Sequence, residues 1–191
     1  MSDPVTYLGK VLPELSIIRD DKLREGVVEV FRRAMEMARI DDLSSLPFTV
    51  TYETDIPFVD HLRAVTNMAL RMAEELKRFG INPDTDTLVA GALLHDIGKV
   101  MEFNEGDGVE PYVKGAGPYC GKLLKHTFTG AALAQEVGLA PSILHCIIYH
   151  SYEGGGRRRS MESVIVHHCD FIHFETVKAI RQGKGGGGQS P

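Results

Sequence analysis

Residues 88–97 read Leu-Val-Ala-Gly-Ala-Leu-Leu-His-Asp-Ile, an apolar run that ends on two ionisable side chains. A buried helix end is a costly place for His95 and Asp96 unless something pairs with them. Adjacent residues lie about 100° apart around a helix, so both side chains can enter one concave site from neighbouring angles. A cation in that site would satisfy both. Residues 85–97 are predicted as a short helix stopped by Gly98, and Lys99 completes the run His95-Asp96-Ile97-Gly98-Lys99. A fold that accommodates this segment needs a polar pocket at the end of a core helix.

The rest of the chain supplies helices to surround it. Residues 20–40 place Val27, Val30, Phe31, Ala34, Met35 and Ala38 at helical spacing. A break follows at 41–47. A second helix is expected over 59–79, with a stripe of Val65, Met68, Met72 and Leu76, ended by Phe79-Gly80 and Asn82-Pro83-Asp84. Beyond a Gly/Pro-rich loop at 104–121, helices are expected over 123–137, ending at Gly138, from Pro141 to about Ser151, and over 161–180. No segment alternates with period two, so the reading is an all-α bundle around a buried metal site. One domain is expected over 1–182, with its core at 58–177 and an N-terminal helix at 20–40, followed by a flexible Gly-rich tail at 183–191.

Ionisable groups recur on these apolar stripes. His61 lies four residues before Val65 on the second helix. Asp170 sits within the otherwise apolar segment Ser-Val-Ile-Val-His-His-Cys-Asp-Phe-Ile-His-Phe, where an unpaired carboxylate is costly. His150 lines up with Ile143, Cys146 and Ile147, and His126 falls beside a core stripe. One His and one Asp make a buried hydrogen-bonded pair. Six such groups spread over several helices point to a polyvalent metal centre.

The order His61, His95-Asp96, Asp170, with the lysine of the 95–99 run, resembles the HD-domain superfamily of metal-dependent phosphohydrolases. The resemblance covers roughly residues 58–177. His126 and His150 match the two extra histidines of members with dinuclear sites. By that resemblance Asp96 bridges two ions, His61, His95 and Asp170 hold the first, and His126 and His150 hold the second. Imidazole-rich ligation suits Fe, Mn, Co, Ni or Zn better than Mg, so one or two divalent transition-metal ions are expected. A metal-bound hydroxide would attack a small phosphoester, with nucleotides among the candidates, and Asp96 and Lys99 would be catalytic. Di-iron oxygenases that cleave C–C or C–P bonds with O2 share the fold and the ligand order. A regulatory module without turnover is the remaining alternative. Members that cleave cyclic dinucleotides carry Gly-Tyr-Pro after the motif, whereas this chain has Gly117-Pro118-Tyr119, so no such specificity is assigned.

Lys99, Lys122, Lys125, Arg157 and Arg158 are the cations placed to hold phosphate oxygens, and His167, three residues before Asp170, can line the same site. Each has a plainer alternative. Lys99 can pair with an acid or cap a helix end, His167 can support a ligand or pack, and the basic run at 157–159 can be a solvated loop. His145, His168 and His173 are read as surface or packing residues.

Composition narrows the partners. The formal charge of −5 argues against a nucleic-acid polymer, which wants a basic face, and leaves a small anionic, phosphate-bearing substrate. No apolar run approaches the roughly 20 residues of a spanning helix, and residues 1–7 show no secretory pattern. Cys120, Cys146 and Cys169 have no motif spacing and read as reduced thiols, so a cytoplasmic protein is expected.

Overall fold

A computed structural model describes residues 4–49, 51, 54–102, 125–155 and 159–185, with side chains as far as 182. Its helices are α1 (Pro4–Val11), α2 (Asp21–Ala38), α3 (Phe58–Lys77), α4 (Thr85–Leu94), α5 (Ile97–Glu102), α6 (His126–Val137), α7 (Pro141–Tyr149) and α8 (Met161–Gly185). Single 3-10 turns lie at Pro13–Ile17, Leu43–Ser45 and Tyr152–Gly154. No strand occurs among the described residues, where extended pairing is limited to one isolated bridge between Pro47 and Pro57. The fold is all-α, as the helical stripes require.

Helix α4 is the axis of the bundle. From Leu88 to Leu94 it is apolar all round because it is buried all round. Val89, Ala90, Leu93 and Leu94 pack into one apolar cluster with α1, α2, α5, α6 and α7. Leu88 and Ala92 pack into a second with Val65, Ala69 and Ala73 of α3 and Ile165, Val166 and Cys169 of α8. The Asp84 side chain starts α4 by accepting the Thr87 N–H at 2.7 Å, and Asp20 starts α2 by accepting from Leu23 at 3.1 Å. On α3 the fully buried face runs through His61, Leu62, Val65, Thr66, Ala69 and Ala73. Met68, Met72 and Leu76 lie at its margin.

The predicted helix over 85–97 needs correction. Helix α4 ends at Leu94, the chain turns at His95 and Asp96, and α5 restarts at Ile97 with Gly98 inside it. Gly98 does not stop a helix; it makes room for one. A Cβ there would stand 2.0 Å from the His126 carbonyl oxygen, so the glycine lets the start of α6 lie directly against α5. Two other boundaries also move. Helix α7 ends at Tyr149, because Ser151 caps the following 3-10 turn. Helix α8 continues to Gly185, past the expected end near 180 and into the segment read as tail. The loop at 104–121 lies outside the described residues. Among those described, no helix is long and apolar enough to cross a membrane.

Candidate metal centre

The turn at His95-Asp96 is the floor of the site, and each neighbouring helix delivers a side chain to it. His61 comes from the first turn of α3, Asp170 from the middle of α8, His126 from the first residue of α6 and His150 from the end of α7. His61, His95, Asp96 and Asp170 form one group of donor atoms, and Asp96, His126 and His150 form a second, each within 4.8 Å of one another. In the first group, His61 Nε2 lies 3.1 Å from His95 Nε2, 3.3 Å from Asp96 Oδ2 and 3.3 Å from Asp170 Oδ1. In the second, Asp96 Oδ1 lies 3.2 Å from His126 Nε2 and 3.3 Å from His150 Nε2. Asp96 therefore turns one oxygen toward each group.

The outer ring nitrogens fix what faces inward. His95 Nδ1 donates to the Ala92 carbonyl and His150 Nδ1 to the Ile147 carbonyl, both at 2.7 Å. His126 Nδ1 donates to Glu153 Oε2 at 3.0 Å. A neutral ring held this way points its Nε2 lone pair at the carboxylates. Asp96 Oδ1, buried, accepts no hydrogen bond from any of them. Lone pairs and carboxylate oxygens packed this closely need positive charge among them.

Burial and neighbouring charge together decide how the protein meets that need. Burial opposes charge on His61, yet the Asp170 and Asp96 carboxylates raise its pKa. Burial likewise opposes charge on His126, and Asp96 and Glu153 outweigh it, pushing the ring up to about 9. His150 is buried and held below its ordinary value, so it stays neutral. Burial alone would raise Asp96, but Lys99, His95, His126 and His150 hold it well below the usual carboxylate range. Lys99 Nζ sits 2.5 Å from Asp96 Oδ2 and 3.3 Å from the Phe48 carbonyl. A divalent cation fits the same donors: two carboxylates, four inward Nε2 atoms and an orphaned buried oxygen.

A cleft of about 250 Å³ opens onto this floor. Asp96, Asp170, His126 and His150 reach it from below, and Lys99 and Lys125 flank them. Tyr152, Phe171 and Phe174 form an aromatic side, and Thr49, Thr51 and Ser151 supply hydroxyls. His167 does not line the cleft. Its Nδ1 donates to the His150 carbonyl at 2.5 Å, so it supports a candidate ligand from behind. Lys125 lies 3.6 Å from Glu153 Oε1. Lys122, Arg157 and Arg158 fall outside the described residues. Arg159 donates to the Tyr149 carbonyl at 2.7 Å and closes the end of α7.

A family model described as the HD domain matches residues 58–175. The chain belongs to the HD-domain family. HD domains bind divalent metals, and this one presents two donor groups able to do so. It is 27% identical over 165 residues to a dihydroneopterin 2′,3′-cyclic phosphate phosphodiesterase of Methanocaldococcus jannaschii, covering 80% of this chain and 63% of that protein. It is 31% identical over 140 residues to ribonuclease Y of Pseudothermotoga lettingae, covering 73% of this chain and 22% of that protein. The HD-domain chain thus spans less than two thirds of either curated relative. No solved structure matches it.

Three residues of the site carry no clear signal in the sequence. Glu153 holds His126 from a surface turn, and Glu102, raised by burial, lines the cleft. His173, read as surface or packing, places Nδ1 3.0 Å from His61 Nδ1. Its spacing of three from Asp170 was the available clue.

Proposed function

We propose that this HD-domain chain is a metal-dependent phosphohydrolase of small phosphoesters. The observation that carries the reading is Asp96, whose two oxygens face two separate histidine-rich donor groups at the floor of one cleft. His61, His95, Asp96 and Asp170 would hold one divalent ion, and Asp96, His126 and His150 a second. When bound, such ions activate water and polarise phosphoryl oxygens. Lys99 and Lys125 are placed to hold phosphate oxygens, and Asp96 positions the Lys99 ammonium for that contact.

The curated relatives named a phosphodiesterase and a ribonuclease support phosphodiester cleavage. A charge of −5 favours a small substrate over a polymer. So does a cleft below the roughly 300–1,000 Å³ of typical small-molecule sites. Its aromatic side, Tyr152 with Phe171 and Phe174, suits a phosphoester bearing a planar ring, such as a nucleoside 2′,3′-cyclic phosphate.

The test is a panel of cyclic nucleotides and simple phosphoesters assayed with Mn, Co, Fe, Ni and Mg. Turnover is expected with the transition metals and is lost in Asp96→Asn. Lys99→Ala should slow it roughly tenfold to a thousandfold, the range for removing one electrostatic contact. If every combination is inert while the iron-loaded protein consumes O2 with an organic substrate, the chain is an oxygenase instead.

A further inference from the structure

The two donor groups are supplied unequally with negative charge. The first contains both Asp96 and Asp170, whereas the second has a share of Asp96 and two imidazoles. Its histidines are also supported differently. His150, like His95 of the first group, donates Nδ1–H to a carbonyl three residues earlier in its own helix. His126 opens α6 after an extended Lys125, so its own helix has no earlier turn to offer such a carbonyl. Its Nδ1 turns instead to Glu153 Oε2 at 3.0 Å.

We propose that Glu153 is a positioning residue that sets whether the second metal position is filled. This rests on the metal-centre reading above. The carboxylate lies on the far side of the imidazole ring from Nε2, so it acts through His126 and does not enter the donor group. It fixes the tautomer that presents a bare Nε2, makes that nitrogen a stronger donor and brings the group the charge it lacks.

The turn that carries Glu153 is built to hold it still. Ser151 Oγ accepts the Glu153 N–H at 3.3 Å. A Cβ on Gly154 would stand 1.7 Å from the Ile148 carbonyl oxygen, so the turn lies flat against α7. Gly155, at φ 67°, closes it with a bond to the Tyr152 carbonyl at 3.0 Å. Glu153 and His150 are thereby referenced to the same end of α7, which keeps the two second-group histidines in register. Because Tyr152 and Glu153 both face the cleft, this turn couples the second position to whatever occupies it.

The experiment is equilibrium dialysis of the full chain at graded free Mn2+, with ions per chain read by elemental analysis and the coupled-ion signal by electron paramagnetic resonance. The wild type should bind two ions. Glu153→Gln, which keeps the side chain's size and loses its charge, should weaken the second ion by about 10–100-fold. It should leave the first within about threefold and abolish the coupled signal at intermediate Mn2+. Glu153→Asp, one methylene short, should fall between them and serves if the glutamine variant folds poorly. Glu36→Gln removes an exposed carboxylate of α2 that pairs with Arg32, and it should leave both affinities unchanged. An unaltered second affinity in Glu153→Gln, or equal weakening of both ions, overturns the proposal. A wild type that binds fewer than two ions overturns the two-ion reading itself, and this inference with it.

Discussion

Replacing Gly98 by alanine puts a methyl group 2.0 Å from the His126 carbonyl oxygen and 2.7 Å from its carbonyl carbon and Cα. Real Cβ atoms essentially never approach a heavy atom closer than 3.0 Å, so α5 and the start of α6 must separate by about 1 Å. The obstacle is backbone at a helix start, not the end of a flexible side chain, so no rotamer change relieves it. Overpacking of this kind costs about 1–3 kcal/mol, and the upper end is expected. For a protein of this length about 3 kcal/mol lowers the melting temperature by ~6–12 °C. The shift also carries His126 away from Asp96 Oδ1, now 3.2 Å from its Nε2, and should cost the second ion more than the first. Melting by circular dichroism, with metal stoichiometry measured in parallel, reads both effects. Gly9→Ala is the control: the glycine lies in α1 with nothing within 4 Å of its would-be Cβ, and the change should stabilise by up to about 1 kcal/mol. If Gly98→Ala melts within 2 °C of the wild type (about 0.5–1 kcal/mol on the same scale) with both ions bound, the reasoning about this contact is wrong.

Tyr7→Phe should cost about 1–3 kcal/mol in urea unfolding. The hydroxyl donates to Asp42 at 2.8 Å and accepts the N–H of buried Leu43 at 2.7 Å, and the substitution strands that N–H. Metal-free protein should lose stability as pH rises from about 6.5 to about 9. The folded state holds the His126 proton to about 9 against about 6.5 in the unfolded chain, so this stabilisation is complete below 6.5 and gone above 9. Metal-loaded protein should gain stability over that window, because ions displace the same protons. Urea midpoints at both pH values, with chelator and with Mn2+, check the two signs, and parallel trends would count against shared nitrogens.

How far the site could be read in advance depended on what each side chain leans on. His61, His150 and Asp170 sit on helix faces whose apolar neighbours recur at regular spacing, so an ionisable group in the stripe stands out. The 95–99 run announced its chemistry but not its shape. A glycine after an apolar helix reads as a stop, and only the crossing of α6 shows that Gly98 is needed for close approach. His167 and His173 flank Asp170 at the same spacing of three. Packing alone sends His167 to the His150 carbonyl and His173 to His61. Glu153 was beyond reach, since its partner lies on another helix and its turn is polar and half-exposed. Helix α1, at eight residues, is too short for periodicity to declare itself.

A buried hydrogen-bond network is the natural alternative to a metal centre, and the proton inventory weighs against it as a resting arrangement. The Nδ1 protons of His95, His126 and His150 are all committed outward, to two carbonyls and Glu153. Lys99 satisfies Asp96 Oδ2, but Asp96 Oδ1 and the ring nitrogens facing it need extra protons on Nε2, and the neighbouring carboxylates raise His61 and His126 toward taking them. It simultaneously holds His150 neutral against Asp96 Oδ1, which leaves that pair of acceptors facing each other. A network selected for stability would donate one Nδ1 proton fewer outward and close the gap, because a buried acceptor left unpaired costs about 1–3 kcal/mol. Outward-locked tautomers with lone pairs gathered on a shared carboxylate are instead what metal ligation requires. The raised histidines are then the proton-filled form of the same site, and metal and proton compete for the same nitrogens.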